Sequence, residues 1–183
     1  MDSAVIDIHR LCFSYETGSE VLKDISLSIH KGERVALLGH NGSGKSTFAK
    51  HLNGLLRPKH GTVRIAGKST AEQRVARLAG MVALQFQNPD DQISKNSVWE
   101  EAAFGPRNMG YSEEQVRTLV EESLNAFELL PMKEQNPHDL DLSERKRLAI
   151  ASVLAMDTDI VVLDEPTAGL DPRESEMLVT ALL

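Results

Sequence analysis

The chain has 183 residues, 41% of them apolar and 26% charged, with a formal net charge of −7. That length suffices for one buried core, and the composition is that of an ordinary globular protein. The acidic balance without a basic cluster argues against nucleic acid as the main partner, and no apolar run approaches the ~20 residues of a membrane span.

In chain order, Met1 to Val5 lacks the basic and apolar regions of a signal peptide. Residues 4–15 and 21–29 read as two strands joined by a hairpin loop, Glu16 to Glu20. Cys12, the single cysteine, permits no internal disulfide and fits a reducing compartment. Tyr15 ends the first strand, either as an edge aromatic half-covered by the hairpin or as a stacking platform for a base. Lys31-Gly32-Glu33 turns the chain into Arg34 to Leu38, a short apolar run of β type.

Gly39-His40-Asn41-Gly42-Ser43-Gly44-Lys45-Ser46-Thr47 follows, and fits G-x-x-x-x-G-K-[ST]. After it, residues 47–56 carry helical spacing. A strand feeding a glycine-rich turn at a helix N-terminus cradles phosphate with backbone N–H groups, and the helix dipole adds positive potential. Lys45 would reach the β- and γ-phosphates, and the Ser46 hydroxyl would ligate Mg²⁺. The pattern implies a nucleoside triphosphate.

Thr62 to Gly67 is a further strand, residues 69–79 are weakly helical, and Met81 to Phe86 suits a buried parallel strand. Gln87 to Gln92 is a polar stretch at that strand's carboxyl end, either a plain turn or part of a ligand edge. Residues 97–130 are mostly helical, with a capping box at Ser112 to Gln115, and Ser143 to Met156 is another helix. Ile160 to Leu163 runs straight into Asp164-Glu165-Pro166-Thr167. Asp164 caps a helix before the proline, or holds the Mg²⁺ shell; Glu165 would orient and deprotonate the attacking water. Asp171-Pro172 opens a last helix that is still running at Leu183.

Together these residues resemble the ATPase subunits of ABC transporters, and within them the cobalt-type and energy-coupling-factor ATPases that drive uptake of metal ions or vitamins. The resemblance makes Tyr15 the adenine-stacking aromatic, Gly39 to Thr47 the Walker A loop, Gln87 the Q-loop glutamine, Ile160 to Glu165 Walker B and Ala168 to Asp171 the D-loop. The cobalt-type likeness lies in Phe86 to Gln92 and Val98 to Pro106. Two departures stand out. Where the family has Leu-Ser-Gly-Gly-Gln, this chain has Leu140-Asp141-Leu142-Ser143-Glu144, and the switch histidine beyond the next strand is missing.

The implied fold is an α/β P-loop NTPase of ABC ATPase type. It would have a mostly parallel sheet, an antiparallel β subdomain and a helical insert at about 93–156, in one domain over 1–183 that is incomplete at its C-terminus. The implied cofactors are ATP and Mg²⁺, with Glu165 and Gln87 catalytic and Ser46, Gln87 and Asp164 on the metal. The implied partners are a second ATPase subunit in a head-to-tail heterodimer and transmembrane subunits, at the cytoplasmic face of the membrane, with no nucleic acid. A nucleotide-binding but hydrolysis-deficient regulatory subunit is the rival reading. A soluble ABC protein of DNA repair or translation is a third, opposed by the acidic charge.

Overall fold

The computed structural model describes residues 4–16 and 18–182. The chain divides into two compact units, Met1–Val82 and Ala83–Leu183, and each is taken by itself.

The first unit is organised on an antiparallel sheet of strands β1 (Ile6–Phe13), β2 (Leu22–Ile29), β3 (His60–Ile65) and β4 (Lys68–Ser69), in the order β2-β1-β3-β4. Ile6 of β1 pairs with Ile29 on one side and Ile65 on the other. Ile6, Ile8, Leu11 and Phe13 of β1 are buried, and that change from even to odd positions needs one extra residue. The ladder slips there, with Arg10 at φ 52°. Opposite the bulge, Gly61 has φ 81°, and a Cβ on it would lie 2.2 Å from the Arg10 carbonyl oxygen. Only glycine fits. Helix α1 (Lys45–Leu52) buries Phe48, Ala49 and Leu52 and packs on β3. The stretch expected to be weakly helical holds β4, a 3₁₀ turn at Thr70–Glu72 and the short α2 (Val75–Ala79).

Arg34 to Leu38 is not a strand. Val35, Leu37 and Leu38 are 55%, 49% and 89% exposed. β propensity becomes a strand only where neighbours complete the ladder, and no strand among the described residues pairs with this run.

In the second unit, β5 (Val82–Gln85), which begins at the division, pairs with β6 (Ile160–Leu163). Around them lie helices α3 (Val98–Met109), α4 (Glu113–Ala126), α5 (Leu142–Leu154) and α6 (Pro172–Ala181). The core joins Val98 and Ala102 of α3, Val120 and Leu124 of α4, and Leu148 and Ile150 of α5. Each helix start is capped. Ser97 accepts from Glu100 N, and Ser112, Asp141 and Asp171 each form a full capping box. The helical stretch expected over 97–130 breaks at Gly110, whose φ of 84° closes α3 before Ser112 opens α4. Glu101 is buried, and its carboxylate accepts from the Ser94 and Lys95 amides at 2.8 and 2.9 Å.

Candidate active site

The phosphate-loop residues lie in the first unit. Gly42 and Gly44 have φ 79° and 95°, and a Cβ on Gly39 would come within 2.6 Å of Ser43 Oγ. At Gly42 and Gly44 the left-handed backbone would strain any side chain, whereas at Gly39 the Ser43 hydroxyl can swing aside. Gly44 is also the N-cap of α1, where it offers no side-chain oxygen to the first-turn amides. A helix start left without a side-chain cap suits an external anion. The Lys45 ammonium donates to the Gly39 and His40 carbonyls at 2.8 and 3.1 Å, so it is drawn back across its own loop. Ser43 N bonds His40 O at 3.1 Å, and His40 Nδ1 lies 2.9 Å from Asn41 O. Ser46 is half-buried on the first turn of α1. Glycine backbone, helix start and lysine together fit a phosphate group.

Tyr15 lies beyond the end of β1 rather than closing it. Its hydroxyl is 3.1 Å from Thr47 Oγ1, its ring meets Phe13 edge-on at 5.1 Å, and it is 47% exposed. His51, fully buried on α1, donates Nδ1–H to the Thr47 carbonyl at 2.7 Å and packs against Phe13 at 4.7 Å. Burial pushes the His51 pKa down, against the pull of the Thr47 and Arg57 carbonyls.

The carboxylates lie in the second unit. β6 ends at Leu163; Asp164 N then bonds Gln85 O at 3.3 Å, and Glu165 turns the chain with φ 49°. Gln87 Nε2 donates to Glu165 Oε2 at 2.7 Å, so two residues far apart in sequence meet here. The loop carrying Gln87 is closed by Gln92, whose Oε1 accepts from Phe86 N while its Nε2 donates to Ala149 O of α5 at 2.8 Å. Arg145 of α5 pairs with Asp90 of the same loop at 3.2 Å.

Sequence reading missed the other grip of α5. Lys146 is only 6% exposed, and its ammonium donates to the carbonyls of Glu165 (3.2 Å) and Ala168. Burial lowers its pKa, and the nearby Glu165 charge opposes that. Ser143 Oγ donates to Glu174, which also pairs with Arg147 at 3.4 Å. A signal existed: Lys146 stands three residues after Ser143 and four before Ile150, on the stripe that faces inward.

A phosphate loop on a helix start and a carboxylate turn beyond a short apolar strand define the class of nucleotide-binding cassettes. The chain belongs to the ABC transporter family, whose model matches residues 22–168. It is 48% identical over 175 residues to a putative ABC transporter ATP-binding protein of Methanosarcina mazei, covering 95% of this chain and 54% of that one. It is 43% identical over 178 residues to the energy-coupling factor transporter ATP-binding protein EcfA of Carboxydothermus hydrogenoformans, covering 97% and 66%. Among solved structures it resembles cbiO1 from Clostridium perfringens, part of the ABC transporter complex cbiONQ. The TM-score there is 0.82 at 35% identity, covering 100% of this chain and 73% of that one. A dimeric ATP-binding cassette in a post-hydrolysis state bound to ADP and Pi superposes with TM-score 0.87 at 26% identity, covering 97% and 81%. The fold is therefore that of ABC ATPase cassettes. The chain spans 54% and 27% of the lengths of two Methanosarcina relatives.

Proposed function

We propose that the chain is the ATP-binding and hydrolysing subunit of an energy-coupling-factor or cobalt-type importer of a metal ion or vitamin. The observation that carries the reading is the phosphate loop that ends on Gly44 at the head of α1, with Lys45 held across it. Lys45 exchanges its loop carbonyls for the β- and γ-phosphates, and the first-turn amides of α1 donate to the same oxygens. Ser46 in the first unit and Gln87 and Asp164 in the second carry hydroxyl, amide and carboxylate oxygens, a donor set that suits a hard cation. They are the residues that would hold Mg²⁺, which would neutralise charge on the phosphates. Glu165 accepts the proton of the attacking water, and Gln87, already bonded to that carboxylate, orients it. Tyr15 offers its exposed ring to the base.

Similarity to an energy-coupling factor ATP-binding protein and to a component of a transporter complex supports membrane partners and a place on the cytoplasmic face. No helix among the described residues is long and apolar enough to cross a membrane, so such partners would supply the spans. A dimeric neighbour bound to ADP and Pi supports pairing with a second ATPase, and the head of α5 favours a heterodimer. There Asp141 Oδ1 accepts from Glu144 N at 2.8 Å, and Glu144 Oε2 accepts from Asp141 N at 2.9 Å. In the head-to-tail pairing that the family resemblance implies, this segment would meet the partner's γ-phosphate; two carboxylates already answer its helix dipole, so it is a poor host for that phosphate. The test is steady-state ATPase of the chain alone and beside a related subunit bearing Leu-Ser-Gly-Gly-Gln. Turnover should need the second subunit, and equal rates would overturn the heterodimer.

A further inference from the structure

Helix α5 reaches the turn that follows β6 through a buried ammonium. Lys146, 6% exposed, donates to the Glu165 carbonyl at 3.2 Å and to the Ala168 carbonyl. The turn it spans is an unusual one. Glu165 has φ 49°, a left-handed conformation that a non-glycine residue adopts only where its surroundings hold it. Ala168 N bonds Glu165 O at 3.2 Å, so that carbonyl accepts from both the turn and the lysine. Beyond it, Gly169 has φ 81° and Asp171 caps α6. A lysine is costly to bury unless its donors are matched, and here two main-chain oxygens of one turn match two of its three. The Glu165 side chain leaves the same residue toward Gln87 Nε2, 2.7 Å away. The backbone angle that Lys146 secures therefore decides where that carboxylate points.

We infer that Lys146 is a positioning residue, which clamps the Glu165–Ala168 turn so that the Glu165 carboxylate is held against Gln87. The role rests on the ATPase reading for its kinetic consequence, but not for its structural one. Without the clamp, the left-handed residue relaxes toward the common right-handed region and carries its carboxylate away from Gln87. ATP binding through Lys45 is untouched, and the chemical step slows. Ser143 and Arg147 hold Glu174 at the start of α6, so the far end of the segment stays anchored when Lys146 is changed.

The test compares the wild-type chain, in complex with its partner subunits, with Lys146→Met and Lys146→Gln. Methionine keeps an unbranched apolar stem one atom shorter and donates nothing, whereas glutamine keeps a neutral donor. Amide hydrogen exchange over residues 164–171 is read without nucleotide, and kcat and KM for ATP separately. In Lys146→Met, exchange in that segment should quicken and kcat fall by about 10- to 100-fold, the range that follows from losing a charge-assisted hydrogen bond. KM should change little, and Lys146→Gln should recover part of both effects. Unchanged exchange in Lys146→Met overturns the clamp, and quickened exchange with unchanged kcat overturns its positioning role. A wild-type complex that never hydrolyses ATP overturns the functional reading instead, and the exchange rates still decide whether Lys146 holds the turn.

Discussion

Asp141 serves the fold and opposes the proposed function, and the two roles can be separated by substitution. As the N-cap of α5 its carboxylate accepts from Glu144 N at 2.8 Å. Removing a cap costs about 1 kcal/mol, whereas exchanging one good cap for another costs a few tenths. Asp141→Ala should therefore lower Tm by ~2–4 °C for a chain of this size, and Asp141→Ser should leave it nearly unchanged. Function should move the other way. A carboxylate about 4 Å from a partner's γ-phosphate is repelled by roughly 4 kcal/mol at an effective dielectric near 20. Water and counter-ions at this exposed position reduce that sharply, so the expected gain is of order tenfold. The assay is ATPase of a pair whose other site is silenced, so that only the site completed by Leu140 to Glu144 turns over. The full effect calls for Asp141→Ser together with Leu142→Gly. Ser143→Gly is left out because it would sever the bond to Glu174. If Asp141→Ser preserves Tm but leaves turnover of that site unchanged even with Leu142→Gly, the electrostatic account of this segment is wrong.

Lys45→Ala should weaken binding of a fluorescent ATP analogue by about 10- to 100-fold, as expected for losing a charged hydrogen-bond donor beside the phosphates; unchanged affinity would remove the lysine from the site. His51 gives a pH dependence of stability. Its pKa is lowered from 6.5 by burial, so the folded chain binds fewer protons there than the unfolded one. Its contribution is complete above about pH 6.5 and is lost as pH falls below it, by at most ~1.4 kcal/mol per pH unit. The urea midpoint of the wild type should fall more between pH 7.5 and 5.5 than that of His51→Gln, and parallel losses would refute the assignment.

What can be read from the sequence is local. The phosphate loop shows itself because glycine spacing, lysine and helix start are contiguous, and the capping box at Ser112 because its partner Gln115 is three residues on. Arg34 to Leu38 misleads for the opposite reason. Its β character is local, but a strand needs partners from elsewhere in the chain, and none is present among the described residues. Asp141 is legible only as a departure from a motif, and its service as a cap emerges from the bond to Glu144. Lys146 escapes notice because a charged residue on an inward stripe looks like noise until its two carbonyl partners, about twenty residues downstream, are in place.

The central claim is that Glu165 is the proton acceptor of an ATP-hydrolysing site. Its direct measurement is single-turnover hydrolysis of bound ATP by Glu165→Gln, paired with a subunit bearing Leu-Ser-Gly-Gly-Gln. The amide keeps the shape of the side chain and can still hydrogen-bond to water, but it cannot take water's proton. ATP should bind as it does to the wild type, while the rate of cleavage falls by at least ~100-fold. Cleavage at the wild-type rate would contradict the account and place the base elsewhere.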